Sequence, residues 1–402
     1  MTDYRAPLDM QRAPMPHAPA GGAHIDRIRQ FVFLAAPILY VIQNPTFREY
    51  DDIQSGIKPH HGVALILFLI GAYRAPARSW LIAFILMVIA AITTLSSGLP
   101  ILNTRVLNGL MFLMAFLGAA GADGADRDMA RKGAGWACVL IAVTTLWQLP
   151  TIISTAASNI EGRSLYPTIM SGGINIQAST FIILYAFSVS AAISPLLGAV
   201  ALTFLLTQTR AIFLVLPATL IDNFARRSNA RQMRRNAILF TALIAVTIPV
   251  ATSGMFDVTK ILERLSSALS GDAGTEGRSM LLYIAGLHSD CFSLGCGLGS
   301  ASEFIALSAY SSAFEDNFHN VYVQMLTELG TAGFISYSLI LISAYRFARS
   351  KTLDKNLSVA ILATIIMNLV EFNGFEFLTA FLAGMAFSLT GVGSAPVNHS
   401  LR

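Results

Sequence analysis

The sequence predicts an all-α polytopic membrane protein, a bundle of about twelve transmembrane helices with one large loop outside the membrane. Of its 402 residues, 54% are hydrophobic and only 12% are charged, and a soluble domain carries about twice that charged fraction. Apolar stretches long enough to span a bilayer recur along the chain. Lipid offers no hydrogen-bond partners to an exposed backbone, so these stretches are predicted to be helices.

The predicted spans follow the apolar stretches in chain order. They cover residues 28–44, 61–73, 79–97, 104–121, 134–155, 174–192, 195–208, 210–224, 236–251, 319–346, 357–371 and 375–392.

The remaining segments are predicted to meet water. Residues 1–27 are rich in Pro and Ala and lack the apolar core of a signal peptide, which predicts a disordered cytoplasmic tail. Residues 252–318, between the spans of 28–251 and those of 319–392, are amphipathic. They predict a periplasmic loop that contains short helices and lies at the membrane surface. Residues 393–402 are predicted to be a second cytoplasmic tail.

The basic residues predict the orientation. With a cytoplasmic amino terminus, the inside segments hold 19 of the 27 Lys and Arg residues, as the positive-inside rule requires. The Arg-rich run RRSNARQMRR then falls in an inside loop, where such a run usually sets topology and indicates no nucleic-acid partner. We therefore expect a bacterial inner-membrane protein with both termini in the cytoplasm.

Common metal and nucleotide motifs are absent from the sequence. It contains no CxxC or HExxH and no Gly-rich phosphate loop, so no metal and no cofactor are predicted. An oxidising periplasm permits Cys291 and Cys296 to pair, although their spacing does not decide it, and Cys138 lies in a predicted span.

Two outward-facing Arg residues lie near predicted span ends. Arg210 stands between two apolar runs in TFLLTQTRAIFLVLP. It needs an anionic partner there, unless its side chain extends to the interface as many helix-end Arg residues do. Arg163, in ASNIEGRSLYP, is a further basic residue on the same predicted side.

Within the loop, Arg278 stands at the start of a predicted amphipathic helix. The apolar residues of the pattern are Met280, Leu281, Ile284 and Leu287. A tight turn is predicted behind them, at Gly295, Gly297 and Gly299. Such a turn either brings backbone amides to an anion or simply reverses the chain.

His319 and Asn320 lie where the loop enters the next span, and Tyr322 follows. Imidazole titrates near neutral pH and can accept a proton from a hydroxyl, although an interfacial His is more often structural. Glu328 lies about 13 Å further along the helix, where it contacts a ligand or pairs helices.

The pattern HNxYxxxLxExGxxG, from His319 to Gly333, resembles the signature of the O-antigen ligase and polysaccharide polymerase family. The number of spans, the late periplasmic loop and the positions of two Arg residues are similar to that family as well. The chain departs from the family pattern in having Thr209 where a Ser is frequent, and Leu282 and Tyr283 where a Trp is frequent. These departures put sugar preference in more doubt than reaction type.

The resemblance implies a glycosyltransferase C-like fold and a metal-independent, inverting glycosyl transfer. It implies that Arg210 and Arg278 hold the diphosphate of an undecaprenyl-diphosphate-linked glycan, and that His319 activates the acceptor hydroxyl. Four further residues are weaker candidates for substrate contacts: Arg163, Asn320, Tyr322 and Glu328. Donor and acceptor would both be lipid-linked glycans, and a chain-length regulator and a flippase are possible partners.

Three functions stay open at this point. A polymerase joining repeat units is favoured over a ligase acting on lipid A core, because residues 251–317 carry three basic and eight acidic residues and so steer a phosphorylated core poorly. A transporter or lipid-linked oligosaccharide flippase would need internal repeats and charges in both halves. A scaffold would leave His319 and the outer Arg residues without a role.

Other outer residues are weaker candidates for sugar contacts. His60 and His61, beside Lys58, predict a solvated loop, and Glu371 and Glu376 are expected to face periplasmic water.

Overall fold

The structure is a computed structural model. It describes residues 20–44, 58–99, 103–148, 169–170, 173–188, 273–308, 317–350, 354–369 and 375–389. All regular secondary structure in these ranges is helical, which confirms the predicted all-α class.

The described helices are numbered in chain order. They are α1 Ala20–Val41, α2 Pro59–Gly71, α3 Ala77–Ser97, α4 Thr104–Ala120, α5 Gly124–Trp147, α6 Gly173–Ser188, α7 Ala273–Leu287, α8 Cys291–Leu294, α9 Ser300–Leu307, α10 Val321–Ser350, α11 Lys355–Met367 and α12 Phe377–Ser388.

Two of these helices, α3 and α10, are both long and apolar enough to cross a membrane. Shorter apolar helices include α4, α11 and α12. This composition is consistent with a helical membrane protein. The predicted spans at 195–208, 210–224 and 236–251 lie outside the described residues, so the number twelve stays a prediction.

Close packing through glycine joins several of the described helices. A Cβ on Gly118 would lie 2.5 Å from the Leu67 carbonyl carbon, and one on Gly384 would lie 2.3 Å from the Phe116 oxygen. Small residues at such crossings are typical of membrane helices, which gain stability by close van der Waals contact.

Helix α5 begins ten residues before its predicted start, at Gly124 rather than residue 134. The Asp123 side chain caps it by accepting from the Asp126 amide at 3.0 Å. Buried Asp126 also accepts from the Arg29 Nε at 2.7 Å. An apolar-stretch search misses this first turn because polar capping and ion pairing, not hydrophobicity, stabilise it.

Charged residues form two networks at one end of the bundle. In the first, Arg29 bridges from α1 to Asp123 and Asp126 at the start of α5. In the second, Arg131 of α5 pairs with Asp354, which precedes α11 and is only 2% exposed. The predicted topology places all of these residues inside.

Two hydrogen bonds join helix ends elsewhere in the bundle. The Tyr40 hydroxyl at the end of α1 donates to Glu376, which precedes α12, at 3.1 Å. The Val321 amide at the start of α10 donates to the Asn368 carbonyl after α11 at 2.8 Å. Each contact joins residues that the sequence predicts on the same side of the membrane. Which end faces the periplasm remains a prediction from the basic residues.

Candidate functional site

The segment before α10 forms a tight turn around His319. His319 has a φ of +49°, a left-handed conformation that few residues other than glycine adopt. Its amide donates to the Asn317 side-chain oxygen at 2.8 Å. Asn320 then caps α10 by accepting from the amides of Tyr322 and Val323, both at 3.1 Å. The two Asn side chains thus shape the backbone on either side of His319.

Phe318 anchors this turn to the loop helices. Its side chain is 1% exposed and lies in a small core with residues of α7 and α9. The other buried members of this satellite core are Leu281, Ile284, Ala285, Ala301 and Ile305. Sequence reasoning missed Phe318, although an aromatic residue between two polar ones at a helix entrance was a signal for an anchor.

The amphipathic pattern of α7 is partly confirmed. Leu281 and Ile284 are buried as predicted, but Met280 and Leu287 are exposed. The buried stripe continues through Ala285 instead, because positions three and four apart share a helix face.

Arg278 lies on the helix that packs beside His319. The sequence predicts Arg278 at the start of this helix. Helix α7 begins at Ala273, so Arg278 lies in its second turn instead. It precedes Leu281 by three residues, about 4.5 Å along the helix axis. Because Leu281 shares the satellite core with Phe318, α7 runs next to the His319 turn. Arg210 and Arg163 lie outside the described residues.

The Gly-rich turn forms as predicted. Gly295, Gly297 and Gly299 have φ values of +86°, +90° and +99°. The Cys296 amide donates to the Thr327 carbonyl and the Gly297 amide to the Glu328 carbonyl, both at 2.9 Å. Two amides of the turn are therefore bonded to α10, which favours chain reversal over an anion cradle.

Helix α10 is kinked where it receives this turn. Gly330 has a φ of +68° inside the helix. A Cβ on Gly330 would lie 2.6 Å from the Gly295 nitrogen, and a Cβ on Gly295 would lie 2.7 Å from the Gly330 nitrogen. The two backbones touch with no room for side chains, which accounts for glycine at this position of the family-like pattern.

A disulfide joins Cys291 and Cys296 and closes the turn. The sequence left their pairing open. The Thr331 hydroxyl adds a second link, since it donates to the Phe292 carbonyl at 2.7 Å. Cys138 is buried and free.

The opposite side of the turn contacts α3 and α4. The Leu298 amide donates to the Thr94 hydroxyl at 3.2 Å, and Asn103 donates to the Leu298 carbonyl at 2.9 Å. Asn103 also caps α4 by accepting from the Val106 amide. The Gly-rich turn thus lies between α10 on one side and α3 and α4 on the other.

Glu328 and Tyr322 contact protein groups. Glu328 is 1% exposed, and one carboxylate oxygen accepts from the Gln324 side chain at 3.2 Å. The other carboxylate oxygen is buried and has no hydrogen-bond partner among the described residues. The Tyr322 hydroxyl donates to the Ile365 carbonyl of α11 at 3.1 Å. The Gln324 contact lies within α10, whereas the Tyr322 contact joins α10 to α11.

The prediction that His60 and His61 lie in a solvated loop is wrong. Both residues lie at the start of α2. His60 and His61 are 8% and 7% exposed. His60 lies against the rings of Tyr40 and Phe377, and the His61 Nδ1 accepts from the Lys58 amide. Glu376 likewise accepts a hydrogen bond from Tyr40, and Glu371 lies outside the described residues.

Among the described residues, no three His, Cys, Asp or Glu side chains are grouped so as to hold a metal ion. The site instead offers an imidazole at a helix entrance and a neighbouring helix that carries a guanidinium group. Such a set suits proton transfer and anion binding.

Comparison with known proteins agrees with the resemblance in sequence. Residues 195–338 match the family model described as O-antigen ligase. The matched segment includes α7, α8, α9 and the part of α10 that holds Glu328 and Gly330. No match was found among curated proteins.

Proposed function

We propose that the chain is a polysaccharide polymerase, on the premise that its residues 195–338 match the O-antigen ligase family model. It joins undecaprenyl-diphosphate-linked repeat units into exopolysaccharide or O-antigen at the periplasmic face of the inner membrane. Both termini lie in the cytoplasm. The donor and the acceptor are lipid-linked glycans, and a flippase and a chain-length regulator act with it.

The proposed reaction is a single displacement at the donor's anomeric carbon. The acceptor hydroxyl oxygen attacks that carbon, while the bond from the carbon to the diphosphate oxygen breaks with its electron pair. His319 takes the hydroxyl proton. Undecaprenyl diphosphate leaves, and attack from the opposite face inverts the anomeric configuration.

The Arg residues supply charge stabilisation in this scheme. Negative charge develops on the leaving diphosphate, and guanidinium groups match phosphate oxygens with paired hydrogen bonds. We assign this role to Arg210 and Arg278. Because the diphosphate already leaves well when its charge is neutralised, the proposed reaction needs no metal or cofactor. Arg163 is a weaker candidate for the same role.

One observation carries the proposal: the satellite core packs α7, the helix of Arg278, against Phe318, the residue before His319. This packing supports the assignment of a proton acceptor and an anion-binding group to neighbouring parts of the chain. Asn320 and Tyr322 also hold the start of α10, and both stay weaker candidates for substrate contacts.

A ligase that transfers finished polymer to lipid A core is the second candidate, favoured by the description of the matched family. The same His and Arg residues serve either reaction, and the acceptor differs. The acidic excess in residues 251–317 supports the polymerase, since it repels a phosphorylated core.

The test reconstitutes the purified protein in vesicles with undecaprenyl-diphosphate-linked repeat units, with lipid A core added to a parallel sample. A ladder of lipid-linked products without core, lost in His319→Ala and Arg278→Ala, is the expected result. Transfer only in the presence of core would replace the polymerase with the ligase. Absence of any new glycosidic bond with the cognate substrate would overturn the enzyme and favour transport.

A further inference from the structure

Several large apolar side chains on the loop helices α7 and α8 are exposed. Leu294, the last residue of α8, is 82% exposed. On α7, the exposed residues include Met280, Tyr283 and Leu287. A single exposed apolar residue is common in proteins, but a group of them on one surface marks a contact with another apolar phase.

The three α7 residues form a flank beside the buried stripe of that helix. They follow one another at spacings of three and four residues, so they lie on one side of the helix. Leu281 and Ile284, on the neighbouring side, are buried in the satellite core. The flank therefore accounts for Met280 and Leu287, which belong to the apolar pattern of α7 but not to that core.

After its kink at Gly330, α10 exposes one continuous face. Up to Arg349, its exposed residues recur every three or four positions and so lie on one side of the helix. They are Thr331, Ala332, Ile335, Leu339, Ile342, Arg346 and Arg349. Because α10 is long and apolar enough to cross a membrane, we expect the apolar part of this face to contact lipid.

The length of α10 indicates the depth at which this face begins. Its 30 residues extend about 45 Å, whereas the hydrocarbon core of a bilayer is about 30 Å thick. Arg349 lies on the predicted cytoplasmic side, about 27 Å along the helix from Thr331. With Arg349 at the inner interface, Thr331 lies close to the outer boundary of the hydrocarbon.

Helix α8 is attached to α10 at this same level. The Thr331 hydroxyl donates to the Phe292 carbonyl at 2.7 Å. A Cβ on Gly330 would lie 2.6 Å from the Leu294 carbonyl carbon. The exposed Leu294 side chain therefore projects from a backbone that lies where the lipid-facing part of α10 begins.

We propose that α7 and α8 dock on the outer leaflet of the membrane, with Met280, Tyr283, Leu287 and Leu294 in contact with lipid acyl chains. Helices with an apolar flank bind bilayers in this way, and Tyr is a frequent residue at the interface. The contact sets the depth of the loop in the membrane. It does not depend on the proposed glycosyl transfer.

The experiment uses the full chain in phosphatidylcholine vesicles at a high ratio of lipid to protein, with one nitroxide label per chain. Electron paramagnetic resonance measures how often each label collides with oxygen, which is concentrated in hydrocarbon, and with a neutral, polar nickel complex, which stays in water. The labelled positions are created in a Cys138→Ala background by Met280→Cys, Tyr283→Cys, Leu287→Cys and Leu294→Cys.

The matched control is Leu282→Cys. Leu282 is also exposed on α7, but it lies at least about 100° around the helix from each residue of the flank. Uptake of one label per chain, with its position confirmed by peptide mapping, shows that the disulfide between Cys291 and Cys296 is intact. If Leu294→Cys loses this disulfide, the three α7 positions decide the result.

We expect the ratio of oxygen to nickel collisions at the four positions to exceed the ratio at Leu282 by about tenfold, because the polar complex enters hydrocarbon poorly. Frequent nickel collisions at the flank would place it in water and overturn the proposal. Low collision rates with both reagents would also overturn it, since they would indicate that protein covers the flank, as in a contact with a second copy. A high ratio that appears only after undecaprenyl diphosphate is added would assign the flank to a polyprenyl chain instead of the bilayer.

Discussion

The backbones of Gly295 and Gly330 lie in close contact, which predicts a loss of stability when either glycine is replaced by alanine. At Gly295, φ is +86°, and an added Cβ would lie 2.6 Å from the Leu329 carbonyl carbon and 2.7 Å from the Glu328 oxygen. All of these neighbours are backbone atoms, so no side-chain rotation can make room. Gly295→Ala must therefore separate the turn from α10 or distort both.

The size of the effect follows from two contributions. A left-handed or similar conformation costs a residue with a Cβ roughly 1–2 kcal/mol, and inserting a methyl group into a packed site typically costs about 1–3 kcal/mol. We expect Gly295→Ala to lower the free energy of unfolding by about 2–5 kcal/mol in total. Gly330→Ala should act similarly, because its Cβ would meet the backbone of Ser293, Leu294 and Gly295.

The assay is reversible unfolding of the purified protein in mixed micelles, with Gly286→Ala as the matched control. Gly286 lies in α7, and a Cβ there meets nothing within 4 Å. Alanine in a helix is about 0.5–1 kcal/mol more favourable than glycine, so this control should be neutral or stabilising.

The effects of Gly295→Ala and Gly330→Ala on the free energy of unfolding should also be non-additive. Either new methyl group alone separates the same two backbone segments, so the double variant should lose much less than the sum of the single effects. A Gly295→Ala protein as stable as the Gly286→Ala control, or full additivity in the double variant, would refute the close approach of the two backbones.

Three further predictions concern the same region. Cys296→Ser should speed hydrogen exchange in residues 291–299, and a reductant should do the same to the wild type but add nothing to the variant. Asn320→Ala should destabilise the start of α10 by about 1 kcal/mol, as loss of a helix cap does, whereas Asn320→Asp should keep the cap; urea titration distinguishes the two. Phe318→Ala should cost about 3–5 kcal/mol of packing and open α7 to limited proteolysis, whereas Phe318→Leu should stay largely protected; equal protection of all three proteins would contradict the anchor.

The apolar patterns predicted the helices well where hydrophobicity alone decides them. Helix α4 was predicted at 104–121 and is observed at Thr104–Ala120. Helix α5 was missed by ten residues at its start because Asp123 and buried Asp126 stabilise a polar first turn. An ion pair with Arg29, 97 residues away in the sequence, leaves no local signal.

The contacts around the candidate site could not be predicted from the spacing of residues in the sequence. The pattern from His319 to Gly333 and the Gly-rich turn were both evident in the sequence. That Gly295 meets Gly330, and that Phe318 joins α7, depends on long-range packing that spacing does not encode. Burial of His60 and His61 was missed for the same reason, since the rings of Tyr40 and Phe377 cover His60 from other helices.

The most direct test of the proposed glycosyl transfer measures the undecaprenyl diphosphate that is released. Vesicles that contain the protein and undecaprenyl-diphosphate-linked repeat units are sampled over time, and mass spectrometry compares released undecaprenyl diphosphate with glycosidic bonds formed. The control is His288→Gln, since His288 is another loop histidine, stacked on Phe304. We expect one lipid diphosphate per bond in the wild type and the control, and neither product in His319→Ala. Bond formation by His319→Ala at the wild-type rate, or bonds formed without release of the lipid diphosphate, would contradict the account.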